Sequence, residues 1–398
     1  MYRASADAMA WLPVFFLYFS EKLTLPEVLV LESVYYLAVV LTEVPSGYLS
    51  DTLGRRRTLL LSGIALLVAY LCFLLSPQFA GFAAGQVLLA LSIAFRSGTD
   101  TAFHYESLQA LNRESEYGDR EATAGKTGFA STALAALAGG ALGSLDLALP
   151  YYLSLLTACV ALAIVYCFKE PAETVNSDQK NSFYTQLRSC IGYVKQPFIK
   201  WIFIYSVFMY TFVHVPYEFY QPYLALLDSN DQLPGSSAAL AAGILFALTA
   251  AIAAITSAYS MVWQSRFGLL PLLKYAAAIE LIIILLMACM LHPVIALSVI
   301  IRSGPMAVIT APINASIAPL ISNAHRATFL SLKSLAGRLA FAVLLLAFSL
   351  LVAHKDQADW NSLSLLLWVS VITGVIGLLA LHFTSKKIST SPENKTHP

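Results

Sequence analysis

Residues 47–58 read Gly47-Tyr48-Leu49-Ser50-Asp51-Thr52-Leu53-Gly54-Arg55-Arg56-Arg57-Thr58, a short charged stretch between two long apolar runs. Each part of it has a physical role. Gly47 lets two helices approach closely, Gly54 permits a tight reversal of the chain, and Asp51 supplies an anion at a membrane face. The three arginines hold this loop on the side of a membrane where positive charge accumulates. A stop signal alone accounts for three arginines but not for the spaced Gly, Asp and Gly.

The rest of the chain has the same character. Of 398 residues 58% are hydrophobic and 12% charged, with mean hydropathy +0.70, whereas soluble domains run at about 45–50% apolar and about 25% charged. A soluble protein is excluded. The apolar runs predict twelve spans, near 4–20, 28–50, 58–76, 82–108, 128–148, 150–168, 201–227, 238–262, 271–291, 293–322, 339–354 and 362–384. The first is short and holds Asp7, but Glu21 and Lys22 follow it where a cleaved leader would need small residues, so it is read as a helix. Alternate loops carry 20 of the 24 Lys and Arg, the opposite ones only Lys22 and Lys355, which predicts cytoplasmic termini. With 24 basic against 23 acidic residues there is no surplus for nucleic acid. Cys72, Cys159, Cys167, Cys190 and Cys289 include no C-x-x-C pair and read as small apolar residues, not as a disulfide or metal framework, and no cofactor is expected.

The longest polar stretch, 169–200, separates six spans from six, giving an N-terminal bundle over 1–168, a C-terminal bundle over 201–385 and a cytoplasmic tail over 386–398. Within the stretch Phe183, Leu187, Ile191, Val194 and Phe198 recur at near-helical spacing between basic residues, predicting an amphipathic helix on the cytoplasmic leaflet. The halves repeat. Arg96-Ser97-Gly98 in the fourth span matches Arg302-Ser303-Gly304 in the tenth, 206 residues on, and Arg120 before Ala122-Thr123 matches Arg326 before Ala327-Thr328 at the same offset. Transporters built from repeats place their site near the middle of the membrane.

The stretch G-x-x-x-D-x-x-G-R-R at 47–56 resembles the signature of the major facilitator superfamily between its second and third helices, and the likeness extends over all twelve spans. The resemblance implies an all-α membrane protein of two pseudo-symmetric six-helix bundles, acting as a monomeric secondary transporter. It implies that Asp51 and Arg55, with Gly47, Gly54, Arg56 and the preceding Glu43, belong to a cytoplasmic gate. Glu43-Val44-Pro45-Ser46-Gly47 and the Arg326–Arg338 segment look like the branch of drug and siderophore exporters. The matching second-half loop keeps Arg266 and Gly268 but has no acid. The fifth span has Gly128, Gly139, Gly140 and Gly143 but lacks the proline of the family's antiporter signature.

An ionised side chain at mid-membrane costs about 2.5–3.5 kcal/mol on insertion scales, so each such residue is a candidate. Arg96, Asp100 and His104 fall at i, i+4 and i+8 of the fourth span. Arg96 and Asp100 can pair within the helix, either locking it to its neighbours or facing a cavity where Asp100 exchanges a proton for substrate. Glu32 in the second span is placed to snorkel to the outer interface. Tyr210, His214, Tyr217, Glu218 and Gln221 form one stripe of the seventh span, read as packing, as an interfacial belt, or as a titratable site at a helix broken by Pro216. Arg302 has no acid within a turn and takes its partner from another helix or from an anionic substrate; Asn314 adds a polar group to the same span, bent by Pro305 and Pro312. Glu280 in the apolar ninth span is assigned no role.

Ala124-Gly125-Lys126-Thr127 lacks the first glycine of a phosphate-binding loop, since position 120 is Arg, and no strand precedes it. The expected function is proton-coupled efflux of a small amphipathic organic molecule, drug or siderophore, across a bacterial inner membrane. The alternatives are proton-coupled uptake of an organic nutrient and a polytopic membrane enzyme, for which no catalytic constellation is found.

Overall fold

The computed structural model describes residues 1–170, 191–233, 237–355 and 358–389. These are helical, with no strand among the described residues. The elements are α1 (Tyr2–Ala6), α2 (Phe15–Ser20), α3 (Leu25–Leu53), α4 (Arg55–Leu75), α5 (Phe79–Arg96), α6 (Thr99–Ala110), α7 (Tyr117–Gly143) and α8 (Leu149–Tyr166). After the central stretch come α9 (Pro197–Ser229), α10 (Ala238–Ala258), α11 (Ser260–Phe267), α12 (Leu269–Cys289), α13 (Pro293–Ala296), α14 (Gly304–Ile317), α15 (Asn323–Leu351) and α16 (Trp360–Ser389). Ten segments among the described residues are long and apolar enough to cross a membrane. The first span and the glycine-rich α7 complete the twelve expected.

Local chemistry sets the helix ends. Glu27 accepts from the Thr24 amide and hydroxyl, both at 2.8 Å, closing a capping box ahead of α3. Gly54, at φ +93 and ψ 154, separates α3 from α4, and Gly268, at φ +80 and ψ 160, opens α12 in nearly the same conformation. This backbone region is essentially closed to other residues, so the repeat between halves extends to the turn itself.

Three spans differ from the continuous helices expected. The first, 4–20, is two short helices joined by residues 7–14. Its freed backbone groups are met by side chains of neighbouring helices: Ser131 donates to the Ala4 carbonyl (2.6 Å), Thr132 to Asp7 (3.0 Å), Thr157 to Ala8 (3.0 Å), and the Trp11 amide donates to Ser154 (3.3 Å). Irregular backbone persists at membrane depth only when so satisfied. The fourth span breaks between Arg96 and Thr99, and the tenth between Ile301 and Gly304. The repeated Arg-Ser-Gly therefore marks a helix discontinuity in both halves. Conversely α9 runs unbroken through Pro216 and Pro222, so the break expected at Pro216 does not occur.

The chain divides into two compact units: Met1–Val175 with Leu224–Ala247 and Leu345–Ala358, and Asn176–Tyr223 with Leu248–Leu344 and Asp359–Pro398. Parts of α9, α10 and α15 group with the first unit. Gly140 of α7 and Gly243 of α10 explain one such contact, since a Cβ built on either meets the other's backbone at 2.8–2.9 Å. An aromatic cluster fills the first unit: Tyr18 and Tyr151 lie 4.3 Å apart between centroids, Phe19 and Phe82 4.9 Å. In the second unit Trp201 stacks on Tyr205 at 5.4 Å and donates to the Leu381 carbonyl at 3.0 Å. Of the amphipathic helix expected within 169–200, Phe183 and Leu187 lie outside the described residues; 191–193 are helical and Pro197 opens α9. The tail beyond Ser389 is likewise outside them.

Candidate functional site

Two charged residues at the start of the chain organise the first unit. Arg3 of α1 places Nη1 at 2.6 Å from Asp100 Oδ2 and Nη2 at 3.3 Å from Glu121 Oε1, with Nε 3.8 Å from Asp7 Oδ2. The other oxygen of Asp7 accepts from Arg96 Nη1 at 2.8 Å. Glu121 also meets His104 Nδ1 at 2.7 Å. Six ionisable groups from α1, its C-terminal cap, α5, α6 and α7 thus form one network. Two arginines face three carboxylates, so the group carries one negative charge with a neutral imidazole and none with a protonated one.

The helix break creates this arrangement. Gly98 adopts φ +75 between α5 and α6, which offsets Asp100 from the face carrying Arg96. The expected pairing of these two within one helix is therefore replaced: Arg96 takes Asp7, and Asp100 takes Arg3 and accepts from the Thr101 amide at 2.8 Å in the first turn of its own helix. Gly128 of α7 makes the room, since a Cβ there would lie 2.5 Å from Asp7 Oδ2 and 3.4 Å from Arg3 Cγ.

The network borders two hollows within the first unit. One, of about 500 Å³, is lined by Arg3, Asp100, His104 and Glu121 together with Tyr2, Phe103 and Phe168. Phe168 stacks on Phe103 at 4.7 Å and meets Tyr2 edge-on at 5.6 Å, giving the hollow an aromatic wall. The other, of about 460 Å³, is reached by Arg3, Asp7, Arg96 and Asp100. Arg120, also at the first hollow, is held by Glu116 at 2.8 Å. Hydrogen bonds from Arg113 and Arg120 pull the Glu116 carboxyl, in the loop outside the spans, down to about 2.

The signature loop has partners that spacing did not reveal. Arg55 pairs with Glu106 of α6 at 3.1 Å and donates to Ser50 at 2.9 Å. The Arg56 amide, in the first turn of α4, donates to Glu170 at 3.0 Å, and its guanidinium donates to the Tyr166 carbonyl at 2.8 Å. A Cβ at Gly54 would lie 2.9 Å from that Glu170 carboxylate. Glu43 sits on α3 with its carbonyl accepting from Ser46 at 2.7 Å. The side chain of Asp51, and Gly47, fall outside the described side chains.

Glu32 differs from the interfacial placement expected. It is 6% exposed and accepts from Gln86 of α5 at 2.7 Å.

In the second unit the ring of His214 stacks on Tyr210 at 4.1 Å, and its Nδ1 lies 2.7 Å from the Tyr210 carbonyl. Arg302, 5% exposed, sits over the rings of Tyr217 (4.9 Å) and Tyr220 (5.4 Å). Its charge is thus met by aromatic faces, an attraction that strengthens when desolvated. Glu218 is fully buried in α9. Asn314 lies about 15 Å further along α14 than its first residue, so the two candidates of the tenth span are not brought together.

Arg3, Asp7, Glu121, Glu106 and Glu170 were not singled out from the sequence. Arg3 counts there as loop charge and Asp7 as a weakness of the first span. Only pairing across the fold gives them a role.

The Major Facilitator Superfamily model matches residues 4–340. Among solved structures, the nucleoside transporter NupG superposes with TM-score 0.80 at 14% identity, covering 97% of each chain. A bacterial homologue of the iron transporter ferroportin, in an inward-facing state, gives 0.67 at 16% identity, covering 96% of each chain. A D-xylose-proton symporter gives 0.63 at 14% identity, covering 96% of this chain and 93% of the other. No curated protein matches the chain significantly. With its signature loop, its helical fold and a family match over most of its length, the chain is a multi-pass membrane protein that belongs to the major facilitator superfamily of transporters.

Proposed function

We propose that the protein is a proton-coupled secondary transporter that exports a small amphipathic organic molecule, of the drug or siderophore class, by alternating access. The observation that carries this reading is the network around Arg3, in which Asp100 and Glu121 share one guanidinium at the edge of an aromatic-walled hollow. Asp100 lies within the fourth span, where an ionisable group is functional by default because keeping it there is costly. Protonation of Asp100 would free Arg3 for Glu121, which also holds His104. Substrate and proton would then compete for the same groups, each biasing one two-state equilibrium. The Phe103, Phe168 and Tyr2 rings suit an apolar or aromatic substrate body, and the charges suit a polar head.

In this mechanism Arg55 and Arg56, with Asp51, Gly47, Gly54 and Glu43, act at the cytoplasmic gate, where Glu106 and Glu170 are their partners. His214, Tyr210, Glu218, Arg302 and Asn314 supply the second half's contribution. The proton is the coupling ion, the protein works as a monomer in a bacterial inner membrane, and both termini are cytoplasmic.

The test is a panel of drugs and metal-free iron chelators added to inside-out vesicles with a respiration-generated proton gradient, following internal pH and solute. Accumulation of a panel member with proton release from the vesicles supports export. Accumulation of a nutrient by whole cells, with no response in the vesicles, replaces export by uptake. Chemical turnover of a lipid or peptide without vectorial movement replaces transport by catalysis.

A further inference from the structure

The second hollow of the first unit, about 460 Å³, is lined by Arg3, Asp7, Arg96 and Asp100, so the charges on its wall balance. The remaining carboxylate of the network, Glu121, borders the other hollow. What the second hollow holds in surplus is hydrogen-bond donors. Its aspartate oxygens are taken: Asp7 Oδ1 accepts from Arg96 Nη1 at 2.8 Å and Oδ2 lies 3.8 Å from Arg3 Nε, while Asp100 Oδ2 accepts from Arg3 Nη1 at 2.6 Å and Oδ1 from the Thr101 amide at 2.8 Å.

The arginine donors are not. A guanidinium donates from each of its nitrogens, yet the Nη1 bond to Asp7 is the one hydrogen bond that the Arg96 side chain makes among the described residues. Its Nε and Nη2 are unbonded and keep accessible surface. These two nitrogens form the edge of a guanidinium that meets both oxygens of a carboxylate side by side. Ser97, next along the chain, adds an exposed hydroxyl with no side-chain bond among the described residues. The space in front of them is left open by α7: Gly125 lines the hollow, and a Cβ built on it meets nothing within 4 Å. Ile93 and the ring of Phe129 supply apolar wall.

We infer that the second hollow is a head-group subsite for an amphipathic organic acid, whose carboxylate Arg96 grips through Nε and Nη2 while its Nη1 stays on Asp7. A cationic head would find the aspartate oxygens already engaged and two guanidinium groups beside it, whereas a carboxylate meets donors that nothing else uses. Gly125 sets the size of head that fits, because any side chain there extends into the hollow. That such an acid is the cargo rests on the transport reading above, and narrows it; that the acid binds at Arg96 does not.

The test is therefore made on binding alone, with the purified full-length protein in detergent and no proton gradient, by titration calorimetry with naphthoate as the probe and naphthylmethylamine as the cation of matched body. Naphthoate should bind saturably and more tightly than the amine. Arg96→Lys, which keeps the charge but loses the two-pronged edge, should weaken it by about tenfold or more, the worth of one charge-assisted hydrogen bond. Gly125→Leu should weaken it similarly without lowering the melting temperature, since the added side chain displaces no packed neighbour; this variant keeps the test open if Arg96→Lys folds poorly. Ala124→Leu, which fills the first hollow instead, should weaken it less than Gly125→Leu. Tighter binding of the amine, no saturable binding of naphthoate, binding indifferent to Gly125→Leu, or a larger loss in Ala124→Leu overturns the inference. Failure of the vesicle assay with these binding results intact would remove export and leave the subsite, so the two readings fail separately.

Discussion

Gly128 offers the sharpest test of the charge network. Replacing it with Ala puts a methyl 2.5 Å from Asp7 Oδ2, so the carboxylate must rotate away from Arg96 Nη1, now at 2.8 Å. Gly125, one turn earlier on the same helix, has nothing within 4 Å of its built Cβ. Both substitutions gain about 0.8–1.0 kcal/mol of helix propensity. Gly128→Ala alone loses a charge-assisted hydrogen bond, about 1.5–3 kcal/mol, and the Asp7 and Arg96 side chains are 22% and 23% exposed, which leaves that bond only partly screened. Gly125→Ala should therefore melt above the wild type in detergent and Gly128→Ala below it, with about 1.5–3 kcal/mol between them. In an Asp7→Ala background the Gly128→Ala penalty should vanish, because the atom it displaces is gone. Equal melting of the two glycine variants, or a penalty that survives Asp7→Ala, would show that Gly128 does not make room for the Asp7–Arg96 pair.

Other perturbations follow from the same contacts. Gln86→Leu removes the donor to the buried Glu32, and thermal unfolding should show a loss of about 1–3 kcal/mol, whereas Glu32→Gln should lose less. Gly54→Ala should cost about 1–3 kcal/mol for its backbone conformation, plus a contact with Glu170 that Glu170→Ala relieves. At Gly268, where the nearest atom to a built Cβ is 3.8 Å away, the same substitution should show the backbone cost alone. Glu106→Gln weakens the partner of Arg55 and should alter transport rate more than stability, as a stopped-flow flux assay would show.

How much of this was legible in the sequence depends on the kind of interaction. The signature loop and the apolar runs fix the fold because membrane solvation acts on each segment independently. Arg96 and Arg302 stand out for the same reason. Their partners do not, because partners come from helices distant in sequence. The i, i+4 spacing of Arg96 and Asp100 pointed to a pair within one helix, and the single residue Gly98, at φ +75, redirected both. The break at 7–14 is likewise invisible to hydropathy, since it depends on Ser131, Thr132, Ser154 and Thr157 meeting the freed backbone. Pro216 misled in the opposite direction: a proline removes one amide donor, yet α9 continues through it. The repeated Arg-Ser-Gly was legible as a repeat, but its meaning, a helix discontinuity in each half, emerges only in three dimensions.

In the proposed mechanism Asp100 exchanges a proton against substrate on Arg3. Its most direct test compares wild type with Asp100→Asn in inside-out vesicles, using whichever panel solute accumulates, under a proton gradient and then under solute gradients alone. The account predicts that Asp100→Asn abolishes gradient-driven accumulation and proton release while solute exchange persists. Undiminished gradient-driven accumulation by Asp100→Asn would contradict it.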